Sequence, residues 1–283
     1  MRYFIVDAFT STPFGGNPAG VVLLGRDAAF PSDSLMRQVA TELRYSETAF
    51  VLQNGPTEFT VRYFTPAGEV ELCGHATIAT FGVLRREGII CDGATCMNHT
   101  LVGDLEVGVG QQVMMQMATP QAIDKPIDVR KLHLIMGSTA DYPLPYLPVE
   151  VISTGLPDII MPVASVEALN DLRPDMDALA KLSSELDVVG VHAFVLTDDG
   201  YTGHVRNFAP LYGIPEESAT GTANAALTHY LHRHSLITCP TDCRFLQGEA
   251  MQRPSVIVTT LNTDGTIRVG GHCRIIAQGD LLV

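Results

Sequence analysis

The sequence lacks the short motifs that mark the common nucleotide, peptidase and hydrolase sites. It contains no GxGxxG, no Walker P-loop, no HExxH and no GxSxG. Each of these motifs positions groups that its chemistry requires, such as backbone N–H groups for phosphate or two histidines for zinc. Nucleotide-binding, zinc-peptidase and serine-hydrolase functions therefore lose their main support.

Charged residues are scarce and mostly acidic. They make up 17% of the 283 residues, against 46% apolar residues, which excludes a disordered chain and predicts a large core. The 18 Lys and Arg against 31 Asp and Glu give a net charge of −13. Nucleic acids and anionic membranes bind basic faces, so neither is an expected partner. A small anionic substrate stays compatible with this charge, because a cleft can be locally positive in an acidic protein.

Signals for a membrane or an oxidising compartment are also missing. No stretch approaches the ~18 to 20 uncharged apolar residues of a membrane span, and the N-terminal MRYFIVDAF lacks the pattern of a signal peptide. The six cysteines are scattered, and neither Cys91/Cys96 nor Cys239/Cys243 has CxxC spacing. We expect a cytoplasmic protein with reduced thiols. A four-cysteine zinc site is the weaker alternative.

A repeat relates the two halves of the chain. Ala49-Phe50-Val51 and Arg62-x-Phe64-x-Pro66 recur as Ala193-Phe194-Val195 and Arg206-x-Phe208-x-Pro210, at a constant offset of 144 residues. Beyond the prolines, each half continues to a glycine that opens an apolar segment. We infer two pseudo-symmetric domains of one topology, with a site in the cleft between them. Chance similarity between apolar strands is the alternative.

The domain bounds follow from the repeat and from composition. Residues 118–148 are rich in proline and loop-like, so the boundary is placed there. The predicted N-terminal domain is 1–125, with the strand 273–283 as a candidate completion. The predicted C-terminal domain is 126–272.

Hydrophobic periodicity predicts an α+β fold. Ser32 to Arg44 has the pattern of an amphipathic helix capped by Ser32. Gly74 to Arg85 and 221–233 are helices that are apolar on nearly every side, so each must be buried all round. A barrel-like, mostly antiparallel sheet around one central helix per domain would bury them. The main strands are predicted at 2–8, 19–24, 48–53, 59–65, 103–109, 113–117, 149–153, 158–162, 192–197, 201–208, 255–261, 266–270 and 273–277.

The two central helices begin with bare backbone, at Gly74-His75 and Gly221-Thr222. A helix N-terminus has unpaired N–H groups and a partial positive charge, so it favours carboxylate or phosphate. Glycine lets a ligand approach the backbone closely. Two such ends at one cleft would suit a small carboxylate and an enolate-like intermediate. The alternative is that each glycine only permits tight entry into a buried helix.

Glu47 introduces a carboxylate into the otherwise apolar segment Ser46 to Val51. The repeat places Val191 opposite it, so the second half has no copy. Burial would raise its pKa towards the range of a useful general base. A cap or salt bridge after the preceding helix is the alternative.

Three further residues lie next to the two helix starts. His75 could be a general acid, a donor to the substrate, or a structural histidine. Glu217 could pair with the substrate or with His75, or simply complement the helix dipole. Cys73 invites a nucleophilic role, but its counterpart is Thr220, and an inert buried thiol is favoured.

These segments resemble the phenazine-biosynthesis PhzF family, within the diaminopimelate-epimerase-like fold. The segments that carry the resemblance are VDAFTSTPFGGNPAGVVLL (6–24), SETAFV (46–51), RYFTPAGEVELCGHATIAT (62–80), RNFAPLYGIPEESATGTANAAL (206–227) and GEAMQRPSVIV (248–258). The resemblance implies two similar domains with the site between them. It also favours a homodimer and implies isomerisation of a small acid by proton transfer without a cofactor. No metal is expected.

The resemblance also implies roles for individual residues. Glu47 matches the catalytic acid/base, and His75 and Glu217 match further catalytic positions. The substrate-binding positions are Gly74, Gly221, Thr222 and Asn17. Glu217 stands where the family usually has Asp, which adds one methylene to the side chain.

Two alternatives to the isomerase stay open at this point. An epimerase or racemase needs a base on each face of the carbon, and the related epimerases use a Cys before each helix-start glycine. Here the second such position is Thr220, which disfavours that mechanism. A binding or interaction protein that keeps the fold without turnover is the other alternative. No motif names the substrate.

Overall fold

The computed structural model describes residues 1–25, 28–138 and 147–283, and these residues form two units. The first unit combines Met1–Gln116 with Gly270–Val283, and the second is Met117–Val269. Of the segment 118–148 that was predicted as a loop, residues 139–146 lie outside the described residues. Within the described residues, no helix has the length and apolar character needed to cross a membrane.

Strands rich in β-branched and aromatic residues build the sheet of the first unit. They are β1 (Arg2–Ala8), β2 (Asn17–Leu23), β3 (Thr48–Gln53), β4 (Glu58–Phe64), β5 (Glu69–Val70), β6 (Ala94–Thr100), β7 (Gly103–Val109), β8 (Val113–Gln116) and β18 (Cys273–Asp280). β1 pairs antiparallel with both β18 and β2. The pairing continues as β2–β3 parallel, β3–β4 antiparallel, β4–β6 parallel, then β6–β7 and β7–β8 antiparallel.

The central helix of the first unit is α2 (Gly74–Arg86), and every residue from 75 to 84 is buried. It packs against β1, β2, β3, β7, β8 and β18, so strands cover it on several sides. This confirms the burial predicted from its all-round apolar sequence. The outer helix α1 (Asp33–Leu43) buries one face, and Ser32 Oγ accepts a hydrogen bond from the Leu35 N–H at 3.3 Å, as its capping pattern predicts.

The second unit has the same succession of pairings. Its strands are β9 (Gln121–Ile123), β10 (Glu150–Ser153), β11 (Pro157–Pro162), β12 (Val191–Leu196), β13 (Gly203–Ala209), β14 (Ile214–Glu217), β15 (Thr241–Gln247) and β16 (Ser255–Leu261), and β17 (Ile267–Gly271) begins in this unit and ends in the first. The pairs β9–β10 and β10–β11 are antiparallel, β11–β12 parallel, β12–β13 antiparallel, β13–β15 parallel and β15–β16 antiparallel.

Alternating strand residues in the second unit separate two cores. One face packs on the central helix α6 (Gly221–Arg233), through Ile152, Ile160, Phe194 and Phe245 among others. The other face packs on the outer helices, which are α3 (Val129–Ile135), α4 (Val166–Asn170) and α5 (Met176–Leu186). The mixed α and β architecture, with one central helix per unit, confirms the predicted fold class.

The loop predicted over 118–148 was wrong in two places. Strand β9 and helix α3 both form inside it. Asp128 caps α3 by accepting from the Lys131 N–H at 3.1 Å, and Leu132 and Ile135 are buried. Burial of these two side chains outweighs the proline-rich surroundings.

Candidate active site

In the first unit, a strand start and a helix start bring Glu47 and His75 together. Glu47 immediately precedes β3, and its carbonyl accepts from the Gly20 N–H on the parallel neighbour β2 at 3.0 Å. His75 is the second residue of α2. The side chains are 16% and 6% exposed, so both polar groups lie almost entirely out of water.

The imidazole of His75 has contacts on both nitrogen atoms. Its Nε2 lies 3.2 Å from Glu47 Oε2 and 3.4 Å from Ser46 Oγ. Its Nδ1 lies 3.3 Å from Cys73 Sγ. These contacts fix the orientation of the imidazole ring between the Glu47 carboxylate and the Cys73 thiol.

The two partners shift each other's protonation. Burial acts to raise the pKa of Glu47, but the hydrogen bond and charge of His75 lower that pKa below its usual value. Burial acts to lower the pKa of His75, but Cys73 and Glu47 raise it well above its usual value. Both directions favour a carboxylate facing an imidazolium. The expectation of a raised Glu47 pKa was therefore wrong, because His75, together with Ser46 and Cys73, outweighs the effect of burial.

Cys73 is a buried neutral thiol. Burial, together with the charge of Glu47, raises its pKa to about 11. Since the thiolate is the nucleophile and the metal ligand, Cys73 is unreactive near neutral pH. Glu47, Cys73 and His75 nevertheless place possible ligand atoms within 4.8 Å of one another, so of the described residues this set could hold a metal ion.

The N-terminus of α2 is open beside this pair. Cys73 is its N-cap and accepts no capping hydrogen bond through its side chain. A Cβ built on Gly74 meets no atom within 4 Å. Tight packing therefore does not require glycine at this position, and the free space leaves the backbone N–H groups accessible to a ligand.

Asn17 opens β2 and is buried. It pairs with Ala8 on β1. Asn17 lies three residues before Gly20, whose N–H donates to the Glu47 carbonyl. Asn17 is therefore on the strand that supports Glu47.

In the second unit, Glu217 ends β14 and α6 begins at Gly221. The Thr220 hydroxyl donates to Glu217 Oε2 at 2.7 Å, so the carboxylate folds towards the helix start. Thr222 is half-buried, and its carbonyl accepts from the Thr154 hydroxyl at 2.9 Å. Glu217, Gly221 and Thr222 are therefore grouped at one helix end, as the sequence predicts for an acidic residue beside a helix N-terminus.

Gln247 holds this loop and was missed by sequence reasoning. Its amide donates to the Glu217 carbonyl at 2.8 Å and to Thr220 Oγ1 at 3.0 Å. Its Oε1 accepts from the Thr220 N–H at 3.1 Å and from Asn224 Nδ2 at 2.9 Å. Strand alternation puts Gln247 on the same face as the core residues Cys243 and Phe245, and a polar residue on that face is the signal that would have identified it.

The two arginines of the repeat have matching roles in their own units. Arg62 binds Glu69 through Nε at 2.7 Å and a terminal nitrogen at 2.6 Å. Arg206 binds Glu216 in the same way, at 2.8 and 2.9 Å. Such bidentate pairs fix the planes of both side chains. Each arginine thereby anchors the segment that leads into the central helix.

Comparison with known proteins assigns the chain to a family. A model of the PhzC-PhzF family, phenazine biosynthesis-like protein, matches residues 6–279. The uncharacterized isomerase YddE of Escherichia coli O157:H7 is 34% identical, over 92% of this chain and 90% of the relative. Trans-2,3-dihydro-3-hydroxyanthranilate isomerase of Pseudomonas chlororaphis is 30% identical, over 90% of this chain and 88% of the relative.

Solved structures agree with this assignment. A crystal structure of the Bacillus anthracis phenazine biosynthesis protein, PhzF family, matches with a TM-score of 0.87 and 26% identity, covering 100% of this chain and 99% of that one. A probable proline racemase from Agrobacterium radiobacter K84 shares the fold, with a TM-score of 0.67 and 13% identity over 100% of this chain and 93% of that one. The fold and the relatives define the chain as an isomerase. It belongs to the PhzC-PhzF family of phenazine biosynthesis-like proteins.

Proposed function

We propose that this isomerase moves a proton between two carbon atoms of a small carboxylic acid, with Glu47 as the acid–base group. The observation that carries the proposal is the buried Glu47–His75 pair, 3.2 Å apart, beside the open N-terminus of α2. A carboxylate, a proton donor and an anion-stabilising helix end are the groups that such a reaction requires.

Glu47 starts the reaction in its basic form. His75 keeps the carboxylate ionised before the substrate arrives, which prevents a buried glutamate from taking up a solvent proton. A substrate oxygen that accepts the N–H of His75 would weaken this stabilisation. Burial then dominates, so the carboxylate becomes more basic when it must remove the proton. The protonated Glu47 afterwards returns the proton to a second carbon.

The N-terminus of α2 supports the negative charge that develops on the substrate. Its first-turn N–H groups and the helix dipole favour an enolate or a carboxylate. The space in front of Gly74 allows such an oxygen to approach the backbone. Gly221 is the first residue of α6 in the second unit, and Glu217 and Thr222 lie near it in the sequence. The use of both helix ends by one substrate stays a prediction, as does the homodimer.

Thiol-based epimerisation is disfavoured. Two cysteine bases would be needed, whereas the N-cap of α6 is Thr220 and the pKa of Cys73 is raised to about 11 by burial and by Glu47. A single carboxylate that removes and returns the proton agrees better with these side chains.

The test measures proton exchange in D₂O by NMR. Trans-2,3-dihydro-3-hydroxyanthranilate, the substrate named for the Pseudomonas chlororaphis relative, is the first compound of a panel of small carboxylic acids. We expect Glu47→Gln to lower turnover of any converted acid by about 10²- to 10⁴-fold. Glu42→Gln, on the exposed face of α1, removes an equal charge and should leave turnover unchanged. Full activity of Glu47→Gln would refute the proposal. Binding without conversion, unaffected by Glu47→Gln, would indicate a binding protein.

A further inference from the structure

A cavity of about 690 Å³ lies at the C-terminal end of α2, in the first unit. It is lined mainly by the last turns of α2, the segment after them, the turn between β7 and β8, and β18. Gly74 and Arg86 are the two ends of α2, and at a rise of about 1.5 Å per residue they lie about 18 Å apart. The cavity is therefore separate from the candidate active site, and its volume is typical of a site for a small organic ligand.

The cavity follows one edge of β18. The other edge of this strand pairs with β1. Arg274 and Ile275 are consecutive residues of β18, so their side chains point to opposite faces, yet both line the cavity. Nearby, Gln112 Nε2 lies 3.4 Å from His272 Nε2, which joins the start of β8 to the start of β18. The cavity is thus a gap between β8 and β18 that gives access to the end of α2.

Positive charge exceeds negative charge in this cavity. Of the described residues that line it, three are arginines and one is an acid, which are Arg85, Arg86, Arg274 and Asp92. Arg85 binds Asp92 through two nitrogen atoms, one of them 3.0 Å from Asp92 Oδ2. Arg86 and Arg274 are exposed, and neither forms an ion pair with a carboxylate of the described residues. Two guanidinium charges are therefore left uncompensated.

Capping of α2 does not account for these arginines. Basic side chains often complement the free carbonyl oxygens of a helix C-terminus. Here the carbonyl oxygens of Val83, Leu84 and Arg85 already accept from N–H groups of the turn 87–89, at 2.9 to 3.0 Å. Arg274 belongs to a strand, so the helix dipole does not explain its position either.

The second unit shows that the fold can neutralise this helix end. Helix α6 has the same 13-residue length as α2 and also ends in an arginine, Arg233. Arg233 Nε lies 3.6 Å from Glu150 Oε2, and His234 Nε2 lies 3.2 Å from the same oxygen. Arg86 takes the place of Arg233 in the first unit and has no such acid. The free charge is therefore a feature of this unit and not a requirement of the fold.

The other lining groups add no negative charge. Gln111 and Gln278 supply neutral amides, and Ile90 and Val113 supply apolar surface. Burial raises the pKa of the Cys273 thiol to about 11, although Arg85 acts in the opposite direction. The thiol is therefore neutral near pH 7, and the cavity combines two free cations with an apolar wall.

We propose that this cavity binds a small phosphomonoester, with Arg86 and Arg274 on the phosphate and Ile90 and Val113 against the organic group. The N–H groups of a guanidinium match two oxygens of a phosphate, which makes arginine well suited to this ligand. A phosphomonoester also carries close to two negative charges above pH 7, which compensates both free arginines. A monocarboxylate would compensate only one of them. The proposal does not depend on the proposed function.

Phenyl phosphate is the probe, because it joins a phosphate to an apolar ring. Isothermal titration calorimetry on the full chain at pH 8 and low ionic strength should show saturable binding. Benzoate, with the same ring and one charge, should bind about tenfold more weakly. Inorganic phosphate, which lacks the ring, should also bind more weakly than phenyl phosphate.

Substitutions place the ligand in the cavity. Arg86→Gln and Arg274→Gln should each weaken phenyl phosphate binding about tenfold, because each removes hydrogen bonds between charged groups. Arg37→Gln, on the exposed side of α1, removes the same charge and should leave the affinity unchanged. Asp92→Asn should strengthen binding, because it releases Arg85 towards the ligand.

Three results would overturn the proposal. The first is no saturable binding of phenyl phosphate to the wild type. The second is an equal affinity in the wild type, Arg86→Gln and Arg274→Gln, which would place the phosphate elsewhere, such as at the N-terminus of α2. The third is an affinity that falls as the protein concentration rises while sedimentation shows a dimer, because a second copy would then cover the cavity.

Discussion

His75 Nε2 lies 3.2 Å from Glu47 Oε2, and this contact decides the charge of the candidate base. Without the imidazole, burial would favour a protonated glutamate. With it, the pKa of Glu47 is lowered and the base is ready at neutral pH. The contact joins a strand start to a helix start, so the base depends on a residue that is distant in the sequence.

Removal of the charge on His75 should move the acid limb of the pH profile. In His75→Gln, burial of Glu47 is no longer offset by an imidazolium, so the Glu47 pKa rises. We expect the fall of kcat/KM on the acid side to occur at higher pH, with a larger loss at pH 5 than at pH 8. Ser46→Ala removes a weaker contact and should shift the limb less, in the same direction. An unchanged acid limb in His75→Gln would contradict this account.

Gly74→Ala should lower turnover while leaving the free energy of unfolding nearly unchanged. An added Cβ there meets no protein atom within 4 Å, so the free energy of unfolding should change by less than about 0.5 kcal/mol. Turnover should nevertheless fall, because the methyl group occupies the space in front of the helix N–H groups. Gly190→Ala is the comparison variant and should destabilise the protein, since its Cβ would lie 1.8 Å from the Phe208 carbonyl oxygen. Urea unfolding and steady-state kinetics on both variants provide the comparison.

Gln247→Leu should destabilise the second unit. The substitution removes four hydrogen bonds and leaves the Thr220 N–H and its neighbours unsatisfied. At about 0.5–1.5 kcal/mol for each bond, a loss of roughly 3 kcal/mol in the free energy of unfolding is expected. Gln38→Leu, on the exposed side of α1, serves as the control. Equal urea midpoints for the two variants would show that the buried amide does not hold the loop.

Asp158→Asn should change how stability depends on pH. The pKa of Asp158 is about 7 in the folded protein and 3.8 in its reference state, so the folded state binds the proton more tightly. This stabilisation is complete below about pH 4 and is lost as pH rises through 7. One pKa unit corresponds to about 1.4 kcal/mol, so the wild type should lose about 4 kcal/mol that Asp158→Asn retains. Urea titrations at pH 4 and pH 8 measure the difference, and parallel losses in both proteins would disprove it.

The central helices could be predicted because their sequences allow no other arrangement. The segment from Gly74 to Arg85 has no polar face, which predicts a helix enclosed by strands. The observed helix α2 is enclosed in this way. The outer helix α3 escaped prediction because it is only seven residues long and lies among prolines. Strands β6 and β15 were missed because ATCMNHT and TDCRFLQ are about half polar.

The site was predictable where a residue type was unusual for its segment. Glu47 was identified as a lone acid before an apolar strand, and His75 by its place at a helix start. The direction of the Glu47 pKa was not predictable, because it depends on a contact between residues 28 positions apart. Asp158 escaped because a strand beginning Pro-Asp gives no hint that its acid is buried.

The pairing of β1 with β18 determines when the sheet of the first unit can be completed during synthesis. β1 is synthesised long before β18, which is one of its two pairing partners. The second unit is continuous and is complete before β18 is synthesised. One edge of β1 therefore stays unpaired until β18 has been made, and such edges invite association with other chains. The sheet of the first unit is thus completed only after the second unit has been synthesised.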